Sequence, residues 1–309
     1  MVNQEIIERY KLETEIIYPY AYRGQEVSKY SNTEPTASII YPYYNENGDS
    51  KLIEMNDFIQ FFPNCYNYLL EFKDDLMERK DSRKKYAFEE NFYRHLRAGN
   101  FNYITPEKLI LKGVDTNFTV GLLGANTAFN GANTPALIPT DSSNISIMTL
   151  LSILNSKLIS FYLNQICPKK LGGYYRYNAK NISAIPIISP KDDEVMNKGL
   201  LVSKLTLQME DLTGKFIRTL QRKFDIDKLS KKLENWHEIT YADFIKELAK
   251  KKIKMSLADE AEWEEYFLAE QTKAKQLIAE IERTDREIDQ MVYKLYDLTH
   301  DEIAIIEAS

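Results

Sequence analysis

The sequence predicts an α+β protein in which a mixed α/β domain, residues 1–190, is followed by an all-α region of long helices, residues 191–309. Two observations carry this prediction. The first part is rich in Tyr, Phe, Asn, Ile and Pro, with turn residues roughly every ten to twenty positions, which is typical of short strands joined to helices. The second part shows a heptad stripe of apolar residues over about forty positions, which is typical of long paired helices.

Short strands are predicted in the first part where β-branched and aromatic residues lie between turn signals. The predicted strands are residues 38–44, 108–111, 119–123, 136–139 and 182–188. Helices are predicted near residues 55–79 and 145–165, the latter because its apolar residues recur at helical spacing. Two tyrosine-proline runs, Tyr18-Pro19-Tyr20 and Tyr41-Pro42-Tyr43, are interpreted as extended segments around proline.

Long helices are predicted in the second part at residues 195–222, from Thr240 to about Lys252, and after Ser256. Thr240 and Ser256 each precede an Asp by three positions, a pattern that resembles a capping box, and Thr299 precedes Glu302 in a full capping box that opens a last short helix. The helix after Ser256 carries the heptad stripe, which runs from Trp263 to Leu295 in steps of four and three. We expect the first and third long helices to pack antiparallel in a coiled-coil-like pair.

Composition and charge exclude several classes of protein. The chain has 309 residues, a net charge of −6 and two cysteines, too few for a disulfide framework. No apolar run is long enough to span a membrane, and the charged N-terminal residues lack the apolar core of a signal peptide. The sequence therefore predicts a cytoplasmic protein that does not enter a membrane.

The charge is unevenly distributed along the chain. Residues 91–190 contain nine Lys or Arg and only three acids, although the whole chain is negative. Attraction to a partner depends on the local field, which falls off over roughly 8 Å at physiological salt. A basic surface on an acidic protein is one interpretation, and a chance fluctuation in surface charge is the other.

The most informative segment is residues 154–187, in which a predicted helix is followed by Lys169-Lys170 and a Gly172-Gly173 turn. The turn presents Tyr174, Tyr175, Arg176 and Tyr177. Cationic and aromatic groups on one turn suit a polyanion that also has flat bases to stack on.

A second cationic and aromatic cluster lies in residues 91–102. Arg94 and Arg97 are three positions apart and would share a face if they lay on a helix. Arg can bridge guanine O6 and N7, and an amide such as Asn100 or Asn102 can pair with adenine N6 and N7. The alternative is a solvated helix end that stops at Gly99-Asn100.

Signals of catalysis are weak. His95, His237 and His300 lie in unrelated contexts, and no metal-binding spacing or phosphate-binding glycine loop occurs. Glu71-Phe72-Lys73 matches a carboxylate-lysine fragment of nucleases, but no Pro-Asp strand precedes it, so two solvated charges on a helix are the favoured interpretation. The tyrosine-proline runs lack the Asn or Asp that an amino-methylating loop needs to accept the target amine.

The chain resembles the target recognition domain, with its C-terminal helical region, of TaqI-like and type IIG restriction-modification DNA adenine methyltransferases. The resemblance covers nearly the whole chain and depends on the order and spacing of several motifs. They include Tyr22-Arg23-Gly24-Gln25-Glu26-Val27, Leu154-Asn155-Ser156-Lys157, Gly172-Gly173-Tyr174-Tyr175-Arg176-Tyr177, Glu262-Trp263-Glu264-Glu265-Tyr266-Phe267 and Val292-Tyr293.

The resemblance implies sequence-specific recognition of double-stranded DNA, as the specificity portion of an N6-adenine DNA methyltransferase. Type IIG members of this family also carry a nuclease domain that cleaves DNA. The catalytic domain, which binds S-adenosylmethionine, is expected in cis or in trans, and no cofactor or metal is expected in this chain. We expect phosphate contacts from Lys157, Lys169, Lys170 and Lys180. Residues expected near the bases, with Tyr174 on the same surface, are Arg94, Arg97, Asn100, Asn102, Tyr175 and Arg176. Two alternatives are a helical module that docks an acidic protein and a self-contained enzyme.

Overall fold

The computed structural model of the protein describes residues 1–138 and 144–309. The chain divides into two compact units, the first formed by Met1–Ile147 and Ile159–Ile187 and the second by Met148–Leu158 and Ile188–Ser309. The first unit combines strands with short helices, whereas the second is helical. This arrangement confirms the predicted α+β class.

The strands of the described residues are short. They are β1 (Ile17–Ala21), β2 (Ser38–Ile40), β3 (Tyr43–Glu46), β4 (Asp49–Leu52), β5 (Lys80–Asp81), β6 (Lys84–Lys85), β7 (Lys108–Leu111), β8 (Val114–Asp115), β9 (Val120–Leu123), β10 (Ala128–Phe129), β11 (Ala136–Leu137) and β12 (Tyr175–Arg176). β1 pairs antiparallel with β2 and parallel with β10, and β7 lies between β9 and β11, antiparallel to both. The pairs β3–β4, β5–β6 and β8–β12 are also antiparallel.

The helices range from one turn to 39 residues. They are α1 (Gln4–Tyr10), α2 (Met55–Phe61), α3 (Pro63–Leu70), α4 (Lys73–Glu78), α5 (Phe101–Ile104), α6 (Ile147–Leu154), α7 (Lys157–Ile166), α8 (Ala179–Ile182), α9 (Glu194–Phe224), α10 (Lys231–Glu234), α11 (Tyr241–Lys250), α12 (Leu257–Leu295) and α13 (His300–Glu307). No single helix among the described residues is long and apolar enough to span a bilayer, although α6 and α7 together, across their 63° bend, meet that criterion.

Of the five predicted strands, two are confirmed, one is interrupted, one ends early and one is wrong. β7 has the predicted bounds, and β9 lies within its prediction. The prediction at 38–44 is interrupted before Pro42, which has no backbone N–H. The prediction at 136–139 ends with β11, and Pro139 lies outside the described residues. The strand predicted at 182–188 is wrong. Asn178 caps α8, and after its end the amides of Ser183, Ala184 and Ile185 donate to carbonyls three or four residues earlier.

The two long helices predicted in the first part are each divided. The first is broken before Pro63, which opens α3 and forces Phe62 out of the helical region, and again between α3 and α4. The second is broken between α6 and α7. The buried carboxylate of Asp289 accepts from the Lys157 amide at 2.8 Å and so caps a new helix start.

The second unit is organised around α9 and α12. An ion pair joins Lys198 to Glu287, and another joins Lys223 to Asp259 at 3.2 Å. Because early residues of α9 pair with late residues of α12 and late with early, the two helices are antiparallel, as predicted. The predicted caps are also confirmed, since Thr240, Ser256 and Thr299 each accept from the amide three residues later.

An aromatic core fills the second unit beside this helix pair. Phe216 of α9 stacks on Trp236, with ring centroids 3.8 Å apart, and packs edge-on against Trp263 and Phe267 of α12. Both α12 residues belong to the heptad stripe and are buried. The stripe is therefore a packing surface within this unit.

Candidate nucleic-acid interface

The segment around the Gly-Gly turn forms a tight hairpin in the first unit. Lys169 pairs with Tyr175 across the hairpin, and the Lys170 amide donates to the Tyr174 carbonyl at 2.7 Å. The connecting residues Leu171–Gly173 depend on glycine, since Gly172 and Gly173 have φ of 79° and 81°. The second strand of this hairpin, β12, pairs along its other edge with β8. We call residues 168–176 the basic hairpin.

The basic hairpin exposes cations beside aromatic rings. Lys169, Lys170 and Arg176 are exposed, and Tyr174 keeps 45% of its surface accessible. The Lys169 ammonium lies 5.6 Å from the centroid of the half-buried Tyr175 ring. Such a pairing holds the lysine stem in place while its charge remains available to an anion.

Tyr177, which the sequence groups with the exposed turn, is instead a core residue. It is 1% exposed, its ring packs edge-on against Phe118, and its hydroxyl donates to the Asn164 side-chain oxygen at 3.1 Å. Burial raises the pKa of its phenol. The expectation that the turn presents Tyr177 is therefore wrong, and this ring anchors the end of the hairpin.

Three of the nine cations in residues 91–190 do not contribute to an exposed positive surface. Lys108 is fully buried and its ammonium donates to the carbonyls of Ile104, Gly124 and Thr127 at 3.1–3.4 Å. Burial lowers its pKa to about 8. Lys112 forms an ion pair with Asp115 at 3.0 Å.

Lys157 is the third, and it belongs to the second unit rather than the first. Its ammonium pairs with Glu307, and this hydrogen bond raises the pKa of Lys157. A lysine engaged in this way would have to leave its carboxylate before it could contact a phosphate. The structure thus separates Lys157 from the other cations with which the sequence grouped it.

The remaining six cations all belong to the first unit and are exposed. They are Arg94, Arg97, Lys169, Lys170, Arg176 and Lys180. In the part of the chain that the structure describes, none of these six forms an ion pair. Unpaired cations retain their full attraction for an external anion, since no internal carboxylate competes.

The segment carrying Arg94 and Arg97 is not helical. Its carbonyls are bound by side chains from elsewhere in the first unit: Arg79 donates to those of Phe92 and Arg94 at 2.8 and 2.9 Å, and the Tyr41 hydroxyl donates to that of Ala98 at 2.9 Å. The His95 amide donates to the Tyr43 hydroxyl at 2.7 Å. These contacts take the place of helical hydrogen bonds, so the condition under which Arg94 and Arg97 would share a helical face is not met.

The same segment lines a cavity of about 940 Å³ in the first unit. Arg97, Asn100 and Tyr103 contribute to its wall, together with rings such as Tyr20 and Phe129. A concave, ring-lined site with a few polar groups is the usual form of a ligand pocket. Arg97 adds a positive charge to this lining.

His95 and Asn100 give this wall its polar character. Burial, with a smaller effect from Arg79, lowers the pKa of His95 to about 4, so the imidazole is neutral at physiological pH. The Asn100 side-chain oxygen is buried without a hydrogen-bond partner among the described residues. Asn102 is oriented differently, because its side-chain amide covers Gly48 in the turn between β3 and β4.

The motif Tyr22-Arg23-Gly24-Gln25-Glu26-Val27, one of those that carry the resemblance, has a structural role that its sequence did not reveal. The Glu26 carboxylate accepts from the Tyr22 and Arg23 amides at 3.2 Å and from the amide and hydroxyl of Thr36 at 3.1 and 2.5 Å. Burial alone would raise the pKa of Glu26, but these donors outweigh it and lower the pKa. The acidic position of the motif therefore joins two loops.

The structure brings the predicted site residues together in two groups. The basic hairpin unites Lys169, Lys170, Tyr174, Tyr175 and Arg176, while Arg97 and Asn100 share the cavity wall. Lys180 is exposed on α8. Sequence reasoning missed Leu171, which is 97% exposed at the tip of the basic hairpin. Its position between two lysines and two glycines was the available signal.

No group of three or more His, Cys, Asp or Glu side chains in the described residues could hold a metal ion. The exposed cations and rings of the two residue groups above are of the kinds that bind anions and stack on flat bases.

Comparison with known families gives two matches along the chain. Residues 19–187 match the TaqI-like C-terminal specificity domain, and residues 190–292 match a domain of unknown function, DUF8810. The chain belongs to the TaqI-like C-terminal specificity domain family, because that match covers more than half of its length. A search of curated proteins finds no match.

Proposed function

We propose that this chain recognises a specific sequence in double-stranded DNA, as the specificity portion of a restriction-modification N6-adenine methyltransferase. The observation that carries the proposal is the basic hairpin. Its cations are exposed beside aromatic rings, and backbone hydrogen bonds join its two strands. The hairpin belongs to a specificity domain. Cations provide the affinity for phosphates, whereas sequence must be read by groups that reach base edges.

The two residue groups divide these tasks in the proposal. Lys169, Lys170 and Lys180 contact phosphates, and Arg176 reaches a base edge, where a guanidinium can donate twice to guanine. Arg97 and Asn100 form a second reading position at the cavity, and the exposed Arg94 contacts the DNA from the same segment of the chain. Lys157 is left out, because Glu307 neutralises it.

The helical second unit is proposed as a scaffold for a methyltransferase domain that is supplied in cis or in trans. S-adenosylmethionine would bind to that domain. The antiparallel α9 and α12, with their buried aromatic core, support this role because such a pair is rigid over the length of its packing.

The test is selection from a random double-stranded DNA library by the purified chain, followed by affinity measurements on the enriched sequence at several salt concentrations. We expect one enriched sequence and a steep loss of affinity with salt. Each phosphate contact contributes about 0.9 to the slope of log affinity against log salt. The double variant Lys169→Gln with Lys170→Gln should therefore lower that slope by about 2, with an unchanged sequence preference.

A matched control is available on α10, where Lys231 and Lys232 are also adjacent and exposed. Replacing both by Gln removes the same charge and should leave the salt slope unchanged. Arg176→Ala should weaken binding by about 1–3 kcal/mol and relax one base position. The proposal is wrong if no sequence is enriched, or if the two lysine pairs have equal effects on the slope.

A further inference from the structure

Leu171 is the most exposed large apolar residue in the described part of the chain, with 97% of its surface accessible. Isolated apolar residues are common on protein surfaces and need no function. Leu171 differs through its setting, because it occupies the tip of the basic hairpin. Lys169 and Lys170 precede it, and Arg176 follows on the opposite strand.

Backbone hydrogen bonds close the base of the hairpin below this tip. The Arg176 amide donates to the Pro168 carbonyl at 3.0 Å, and the Tyr177 amide donates to the Gly113 carbonyl at 2.9 Å. The buried Tyr177 ring fixes the end of the second strand, β12. The tip itself consists of Leu171 and two glycines in left-handed conformations, so Leu171 is the only large side chain between the two strands.

An apolar side chain that projects from a cationic surface has a known use in DNA recognition. Leucine and similar residues insert between base pairs, unstack them and kink the duplex, while flanking cations hold the phosphates. We propose that Leu171 is a wedge of this kind, which inserts between neighbouring base pairs of the bound duplex. This inference rests on the proposed DNA-binding function and adds a deformation of the DNA to it.

A membrane containing anionic lipids is the other partner that this chemistry could suit, since basic residues with an apolar side chain also bind lipid surfaces. One leucine is a small anchor, because stable membrane attachment takes a larger apolar area or a second signal. A single wedge is sufficient to unstack one base step. The observations therefore favour DNA.

The experiment uses the full chain and the sequence enriched by selection, with 2-aminopurine placed at one position of the site at a time. Unstacking raises 2-aminopurine fluorescence, and energy transfer between dyes at the duplex ends reports bending. Wild-type protein should raise the fluorescence at one step and bring the duplex ends closer. Leu171→Ala should abolish both signals and weaken binding by no more than about tenfold, because the cost of unstacking disappears together with the contact.

Two further variants make the result specific. Leu171→Phe should retain both signals, since a larger apolar side chain also inserts. Leu257→Ala is the matched control, because Leu257 is 89% exposed at the start of α12. It should leave affinity, fluorescence and bending unchanged.

The outcomes separate this inference from the proposed function. If the wild type binds the enriched duplex without either signal, or if Leu171→Ala keeps them, the wedge is refuted and DNA recognition stands. If the wild type binds no DNA, both proposals fail. Binding to vesicles of phosphatidylcholine and phosphatidylserine that is lost in Leu171→Ala, without any effect on DNA, would overturn the wedge in favour of a lipid partner.

Discussion

The neutral state of His95 should make the first unit sensitive to mild acid. Its imidazole lies edge-on to the rings of Tyr41 and Tyr43, with centroids 5.6 and 5.5 Å away, and it lines the cavity. Burial lowers its pKa from 6.5 to about 4. A group with a lowered folded-state pKa of this kind takes up a proton in the unfolded chain before it does so in the folded protein, so stability falls with pH from 6.5 towards 4.

The magnitude follows from the two pKa values. One pKa unit corresponds to about 1.4 kcal/mol, so the folded protein should lose about 2 kcal/mol by pH 5 and about 3 kcal/mol by pH 4 through this residue. His95→Gln removes the titration and should make the stability of the first unit less dependent on pH by that amount. His300→Gln, at an exposed position in α13, should behave like the wild type.

The assay is urea unfolding at pH 7 and pH 5, followed by two signals. Trp236 and Trp263 both belong to the second unit, so their fluorescence reports that unit, whereas circular dichroism reports both. The acid effect should appear in the circular dichroism transition of the wild type and be reduced in His95→Gln. Equal losses of stability in the wild type and in His95→Gln between these pH values would refute the assignment of a buried neutral histidine.

Two further predictions concern buried contacts. Lys108→Met should lower the free energy of unfolding by about 2–4 kcal/mol, because three carbonyls lose their donor. Since the folded-state pKa of Lys108 is lowered to about 8, the wild type should gain stability relative to this variant as the pH rises from about 8 to 10, and parallel pH curves would contradict this. Gly199→Ala should destabilise the second unit by about 1–3 kcal/mol, because its Cβ would lie 2.2 Å from the Ser152 hydroxyl and 2.9 Å from the Met148 carbonyl. Gly214→Ala in the same helix meets only a flexible guanidinium and should stabilise it by up to about 1 kcal/mol, so equal effects on the urea midpoint would exclude the close helix contact.

The features that the sequence predicted correctly depend on neighbouring residues. The caps at Thr240, Ser256 and Thr299 each involve a side chain and an amide three positions apart. The antiparallel helix pair follows from a repeat that is visible in the chain itself. Local chemistry of this kind is fully contained in a short window of sequence.

The features that the sequence missed depend on distant partners. The break between α6 and α7 requires Asp289, which is 132 residues from the amide it caps. The irregular segment around Arg94 is held by Tyr41, Tyr43 and Arg79. No periodicity in either segment indicates these partners. Residues 145–165 were therefore predicted as one continuous helix, and Arg94 and Arg97 were considered as a pair that would share a face on a helix.

The candidate site shows the same division at the level of single side chains. A sequence pattern does not show whether a given lysine or tyrosine lies on the surface or in the core. Lys108 and Tyr177 were counted with the exposed groups, but carbonyls and rings from elsewhere enclose them. The Gly-Gly signal was more reliable, because only glycine readily adopts the left-handed backbone of that tip.

The proposed attraction of DNA to a chain with net charge −6 depends on the segregation of charge. Many carboxylates of the second unit are committed to lysines, as in the pairs Lys157–Glu307, Lys198–Glu287 and Lys223–Asp259. The six exposed cations of the first unit have no such partners among the described residues. At physiological salt a charge is screened over roughly 8 Å, so a phosphate beside the basic hairpin interacts with Lys169, Lys170 and Arg176 far more than with acids elsewhere. Backbone hydrogen bonds join the two strands of the hairpin, so the proposed binding would cost conformational entropy chiefly in the lysine side chains.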